Sequence, residues 1–284
     1  MDPEQIVAQA QATIAARRQQ AAAAAQQIDD ARWQGPLRWL LPLGVLLVLS
    51  TVVLVPGSMP HKLLQLMGGM CSLRPGHSYF SGALQQPLES RMVGIYAGFA
   101  VSLIVLLWRG RLGAPRVGSW PMLGVLALLF SSMVLDGINS TLAEVRAGAL
   151  YAPANVLRLT TGLAFGTSVA PVMVWLLGDM VPRDRHGRAA AVMTLRTLLI
   201  IGVGQALVAA VVMSGAASSY IPVAVLSIGG VVAVPASLAL VIIVRSARLR
   251  RQVTHPRQLI APTALAELLG SVVILGSALL RWHG

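Results

Sequence analysis

Residues 155–181 read NVLRLTTGLAFGTSVAPVMVWLLGDMV, and Arg158 is the one charged side chain before Asp179. A helix rises about 1.5 Å per residue, so roughly 20 apolar residues cross a bilayer's hydrocarbon core of about 30 Å. Six more runs share this character, which gives predicted spans at about 37–55, 92–108, 121–135, 156–181, 189–213, 220–244 and 259–280. The third is the shortest. Pro171 and Pro235 fall inside the fourth and sixth, where neighbouring helices can satisfy the carbonyls that proline leaves free. Unbroken apolar runs read as helices; a β-barrel would show alternating strands of about ten residues.

The composition points the same way. Of 284 residues, 56% are hydrophobic and 11% are Asp, Glu, Lys or Arg. Soluble domains carry roughly 25% charged residues, so too little charge is present to cover a water-facing surface. The net charge of +12 comes from 22 cations against 10 acids. A nucleic-acid binder would cluster such cations on a polar face, whereas here all but Lys62 are arginines set between apolar runs. No nucleic-acid partner is therefore expected. The single cysteine, Cys71, excludes a disulfide framework within the chain.

Arginine placement orients the bundle. With the N-terminus in the cytoplasm, the inner segments receive the arginines near 17–38, 109–116, 183–196 and 245–257. The outer side keeps Lys62, Arg74, Arg91, Arg146, Arg158 and Arg281. The expected fold is thus all-α: a polytopic transmembrane bundle of about seven spans, N-terminus inside and C-terminus outside. A six-span count would put a basic loop on the wrong side. Residues 1–36 are read as an Ala/Gln-rich cytoplasmic helix or tail, with a docking helix as the sharper alternative. They lack the pattern of a cleaved signal peptide, which makes the first span an expected uncleaved anchor. Residues 37–284 form the bundle.

The most unusual stretch lies outside. It runs Cys71-Ser-Leu-Arg74-Pro-Gly-His77-Ser78-Tyr-Phe80, then Gln85-Gln-Pro-Leu-Glu89-Ser-Arg91, and enters the second span as Met92-Val-Gly94-Ile-Tyr96-Ala-Gly98. Asp136-Gly137 closes the predicted third span, and Asn155-Val-Leu-Arg158-Leu-Thr-Thr161-Gly162 opens the fourth. In order and spacing these motifs resemble a family of bacterial and archaeal multi-spanning membrane proteins, domain of unknown function 2085, over about residues 60–180. The resemblance implies a prokaryotic cytoplasmic (inner) membrane protein and brings no activity with it. Many members carry further cysteines near the Pro-Leu…Arg element, which would suit a metal or redox site; here those positions hold Glu89 and Met92. Candidate metal ligands are Cys71, His77 and Glu89, with His61 at the margin, and this shortage weighs against a zinc site of about four ligands. The plain alternative is a small packed thiol and a hydrogen-bonded loop histidine.

Helical spacing puts Arg91, Gly94 and Gly98 on one face, and Asn155, Arg158, Gly162 and Gly166 on another. Two Gly-x-x-x-Gly faces imply close packing of the second and fourth spans. With an arginine at the mouth of each, Arg74, His77, Glu89, Asp136, Glu144 and Arg146 are expected at similar depth. Such a cluster is either an ion-paired lid that pins the outer loops, the favoured reading, or a seat for an anionic lipid or quinone-like head. No cofactor is expected beyond such a bound head. Ser78 beside His77 is adjacent in sequence only and makes no catalytic dyad. Deeper down, Arg196 and Glu267 are each expected about two turns into a span from the cytoplasmic side and are candidates to pair. Three functions compete. The first is a non-catalytic structural or accessory subunit, with membrane lipids and a membrane protein as partners. The second is a membrane enzyme acting on a lipid-linked phosphate, with Arg74, Arg91, Arg146 and Arg158 as clamps. The third is a small transporter using Glu267.

Overall fold

The computed structural model describes residues 57–178 and 190–246, residues 11–20, and single positions or short stretches at 5, 9, 23 and within 263–276. The first predicted span, Glu267 and the Asp179–Arg188 loop fall outside the described residues, as does most of the seventh span. Residues 11–20 are helical and exposed.

A short helix, α1 (Met59–Met67), follows Ser58 and carries Pro60 in its first turn. A single 3-10 turn (Pro75–His77) and a minimal hairpin follow, β1 (Phe80–Ser81) pairing antiparallel with β2 (Leu84–Gln85). Five long helices come next: α2 (Ser90–Trp108), α3 (Trp120–Glu144), α4 (Asn155–Gly178), α5 (Leu195–Met213) and α6 (Tyr220–Ser246). All five are long and apolar enough to cross a membrane.

Two boundaries differ from the sequence reading. The third span is 25 residues long and continues more than two turns past Leu135. Its start is set by Ser119 and by Pro121, whose fixed φ suits a first turn. The fifth helix begins at Leu195 rather than 189, because residues 190–194 before it are not helical and Thr194 is extended. The Val192 and Met193 amides donate to the Arg116 and Val117 carbonyls, at 3.0 and 2.8 Å, and Thr194 then caps α5 by accepting from the Thr197 amide. Arg196 is consequently the second residue of α5, exposed at its end, and not two turns inside the span.

The connections gather at two ends. At one, the Gly82 amide donates to the Gly215 carbonyl and Asn155 Nδ2 donates to the Gly76 carbonyl, joining the 68–89 segment to the helix ends. At the other, besides the 116–193 pairing, Trp175 Nε1 donates to the Pro115 carbonyl and Arg111 donates to the Ala191 carbonyl and Thr197 Oγ1. The five helices therefore run alternately up and down between a lid end and an arginine-bearing end.

The centre is the α2–α4 pair. In the most apolar window 61% of α4 and 50% of α2 are buried, against 17% for both α3 and α5. Glycine decides this contact. A β-carbon on Gly94 would meet the Leu159 carbonyl and Gly162, and one on Gly162 would meet the Arg91 carbonyl and Ile95. Gly98 and Gly166 repeat the arrangement lower down. The predicted packing of the two glycine faces is thus observed. On another side of α2, Gly230 lets α6 lie against the Tyr96 backbone. Beneath the lid Leu88, Val93, Leu159, Val212 and Val231 pack together; further down, Phe99, Leu106, Val174 and Ile201 form the larger core. Between them Gln205 Nε2 lies 2.9 Å from the Gly98 carbonyl, 3.0 Å from Thr167 Oγ1 and 3.2 Å from Ser102 Oγ, tying α5 to α2 and α4.

Candidate functional site

The lid is built from loops whose own polar groups are largely consumed in shaping it. Ser78 Oγ donates to the Arg74 carbonyl, Gln85 Nε2 to the Leu73 carbonyl, and Ser90 Oγ to the His77 carbonyl. The Arg74 amide donates to Glu89 Oε1 at 3.0 Å, which closes the 74–89 loop. Gln86 Nε2 donates to Ser81 Oγ, which pairs with Ser219 at 2.8 Å and anchors the hairpin to the start of α6.

The strongest knot lies deeper. Asp136 is 1% exposed. Arg91 Nη2 donates to its Oδ2 at 2.6 Å and to Ser140 Oγ at 2.8 Å. Tyr151 donates its hydroxyl proton to Oδ1 at 3.0 Å, and Thr161 Oγ1 lies 3.5 Å from Oδ2. Burial, and the bond to Asp136, push the Tyr151 hydroxyl above its ordinary pKa. One turn on, Asn139 holds the same loop by its backbone: Oδ1 accepts from the Leu150 and Tyr151 amides, and Nδ2 donates to the Tyr151 carbonyl. A helix leaves its last carbonyls without partners, and the loop that follows must also find donors and acceptors. Asn139 supplies both.

Nearer the surface Arg74 Nη1 pairs with Glu144 Oε1 at 3.0 Å, with His77 Nε2 4.0 Å from the same oxygen. Both side chains of the Arg74 pair are about half exposed, so solvent screens the pair and it adds little to stability. Burial lowers the His77 pKa, and Arg158 beside it adds to that. Arg158 is itself buried, its Nη1 donating to Asn155 Oδ1 at 3.1 Å.

The expected cluster therefore divides into layers. Arg74, His77, Glu89 and Glu144 meet in the surface layer, with Asn155 and Arg158 beside them. Arg91 and Asp136 pair beneath, because Asp136 and Glu144 are eight residues apart on one helix, about 12 Å along its axis. The expectation of similar depth fails for that reason. Arg146 is exposed at the end of α3 and joins no ion pair among the described residues. Among the described residues no three His, Cys, Asp or Glu side chains come together to hold a metal. Cys71 is buried in the core under the lid, and that burial raises its thiol pKa. The Arg196–Glu267 pairing lies outside the described residues at Glu267.

Sequence reasoning missed Asn139, Ser140, Tyr151 and the Gln205 node. A signal for the first two was present: Asp136, Asn139 and Ser140 stand at i, i+3 and i+4, a polar stripe on one face of an apolar helix. Tyr151 carries no such signal, since its role depends on how the following loop folds back.

Comparison with known proteins bears on this region. Residues 71–172 match the model of a family described as predicted membrane protein (DUF2085), the family that the motifs resemble. No curated protein and no solved structure is found to match.

Proposed function

We propose that this membrane protein is a non-catalytic structural or accessory subunit of a membrane assembly, whose lid presents a fixed outer surface to a partner. The observation that carries the reading is the Asp136 knot. A buried carboxylate on α3 is satisfied by Arg91, Tyr151 and Thr161, from α2, the 145–154 loop and α4, and so welds α3 to three other elements. Buried charge-assisted bonds of this kind fix a shape strongly, because removing one partner leaves an uncompensated charge. The lid hydroxyls of Ser78 and Ser90 donate to main-chain carbonyls, which does not suit a nucleophile awaiting a base. We place the protein in a prokaryotic inner membrane with the arginine-bearing end in the cytoplasm, where Arg109, Arg111 and Arg116 meet anionic headgroups.

The enzyme reading has weaker support. Of its four phosphate clamps, Arg74 and Arg91 already hold carboxylates, and Arg146 is exposed and joins no ion pair among the described residues. Purification in two mild detergents followed by native mass spectrometry tests the subunit reading. The expected result is one hetero-complex of the same fixed stoichiometry in both. A monodisperse bare chain in both would overturn it.

A further inference from the structure

Arg74 and Arg91 each face a carboxylate, at 3.0 and 2.6 Å. Arg158 does not. It is 8% exposed, less than either, yet its partner is the neutral side-chain oxygen of Asn155, and no carboxylate lies within ion-pair distance among the described residues. Its placement is nevertheless fixed. Asn155 Nδ2 is committed to the Gly76 carbonyl, which turns Oδ1 toward the guanidinium. The unused N–H groups of Arg158 are also not sealed in. Arg91 Nε and Arg111 Nε are buried without a partner, whereas no Arg158 nitrogen is.

A held, mostly buried cation with open donors and no carboxylate in direct contact, Glu144 acting on it only through space, is costly unless an anion completes it. His77, kept from protonating in part by Arg158, offers a ring nitrogen, while the charges of Arg74 and Glu144 offset each other in their own pair and Glu89 accepts from the Arg74 amide. The first turn of α4 contributes the positive end of its dipole. A guanidinium fork matches a phosphate or phosphate ester with two parallel bonds.

We propose that Arg158 is the primary ligand of a phosphate group, seated at the lid beside His77, Asn155 and Arg74, and contributed either by a lipid headgroup or by a free phosphate. The proposal rests on the lid reading, in which the other buried arginine is already paired, but not on the existence of a partner subunit. A bare monomer by mass spectrometry would overturn the subunit reading and leave this one standing.

The test uses the full chain in non-ionic detergent, exchanged into phosphate-free buffer, with tryptophan-detected unfolding. Sodium phosphate, at ionic strength matched with sodium chloride, is expected to raise the wild-type Tm by roughly 2–4 °C once it exceeds Kd severalfold. Arg158→Gln is expected to show no rise, with an anion-free Tm equal to or above wild type. In phosphatidylcholine nanodiscs the phosphate response persists if free phosphate is the ligand. It is abolished by included phosphatidic acid if the headgroup is. An equal rise in Arg158→Gln, or no response of wild type to either source, overturns the proposal. Should Arg158→Gln not fold, Glu144→Gln serves instead: removing the nearby exposed negative charge should tighten phosphate binding severalfold, and unchanged or weaker binding is contradictory.

Discussion

Asp136 and Arg91 set a definite order of mutational cost. With Asp136 1% exposed, Arg91→Met strands a carboxylate in the bundle and should cost about 3–5 kcal/mol. Asp136→Asn keeps hydrogen bonds to Arg91 and Tyr151 and should cost less, about 1.5–3 kcal/mol. The double variant should recover part of the sum, which a double-mutant cycle of unfolding in detergent would measure. Arg146 offers the opposite sign. It occupies a left-handed position, φ 56°, with its amide donating to the Ala143 carbonyl and that of Ala147 donating to the Leu142 carbonyl. Glycine is the usual residue at this helix end, so Arg146→Gly should stabilise by about 0.5–1 kcal/mol in the same assay. His77 contributes a pH dependence. Its folded pKa lies below the unfolded value near 6.5, so the unfolded chain binds the proton first. Stability should therefore fall as pH drops below about 6.5, until the folded histidine is protonated too. His77→Gln should flatten that part of the stability profile.

At the scale of elements, the glycine faces of α2 and α4 predict a contrast. Gly162→Ala puts a methyl against the Arg91 carbonyl and should cost about 1–3 kcal/mol, by overpacking. Gly202→Ala on α5 meets nothing within 4 Å and should be neutral or stabilise by up to about 1 kcal/mol, alanine being the better helix former. Thermal unfolding of the two variants side by side checks this. The α2–α4 contact was legible in the sequence because Gly94, Gly98, Gly162 and Gly166 repeat every four residues and need no knowledge of the rest of the chain. The helix ends were less legible. The apolar run stops at Leu135 because a charge follows, yet Asp136 is paired with Arg91, 45 positions away, and the helix runs on. Hydropathy starts the fifth span six residues early because residues 189–194 are mostly apolar. Hydropathy records that they avoid water, not that the Val192 and Met193 amides bond to the Arg116 and Val117 carbonyls instead of within a helix.

For the whole molecule, the alternation of the five described helices and the grouping of their loops at two ends follow from the same few cross-links. The sidedness expected from the arginines is a separate matter of charge. Likewise, the residues of the lid could be named from their chemistry, while their division into two ion-paired layers could not. It depends on the length of α3 and on a loop that folds back through Asn139 and Tyr151. The account's central claim is that Asp136 welds this loop and α2 to α3. Hydrogen–deuterium exchange on the wild type and Asp136→Asn in detergent tests it most directly. The account predicts at least tenfold faster exchange across residues 145–154 and the last turns of α3 in the variant, with the α2–α4 centre and α5 little changed. Unaltered protection of residues 145–154 in Asp136→Asn would contradict it.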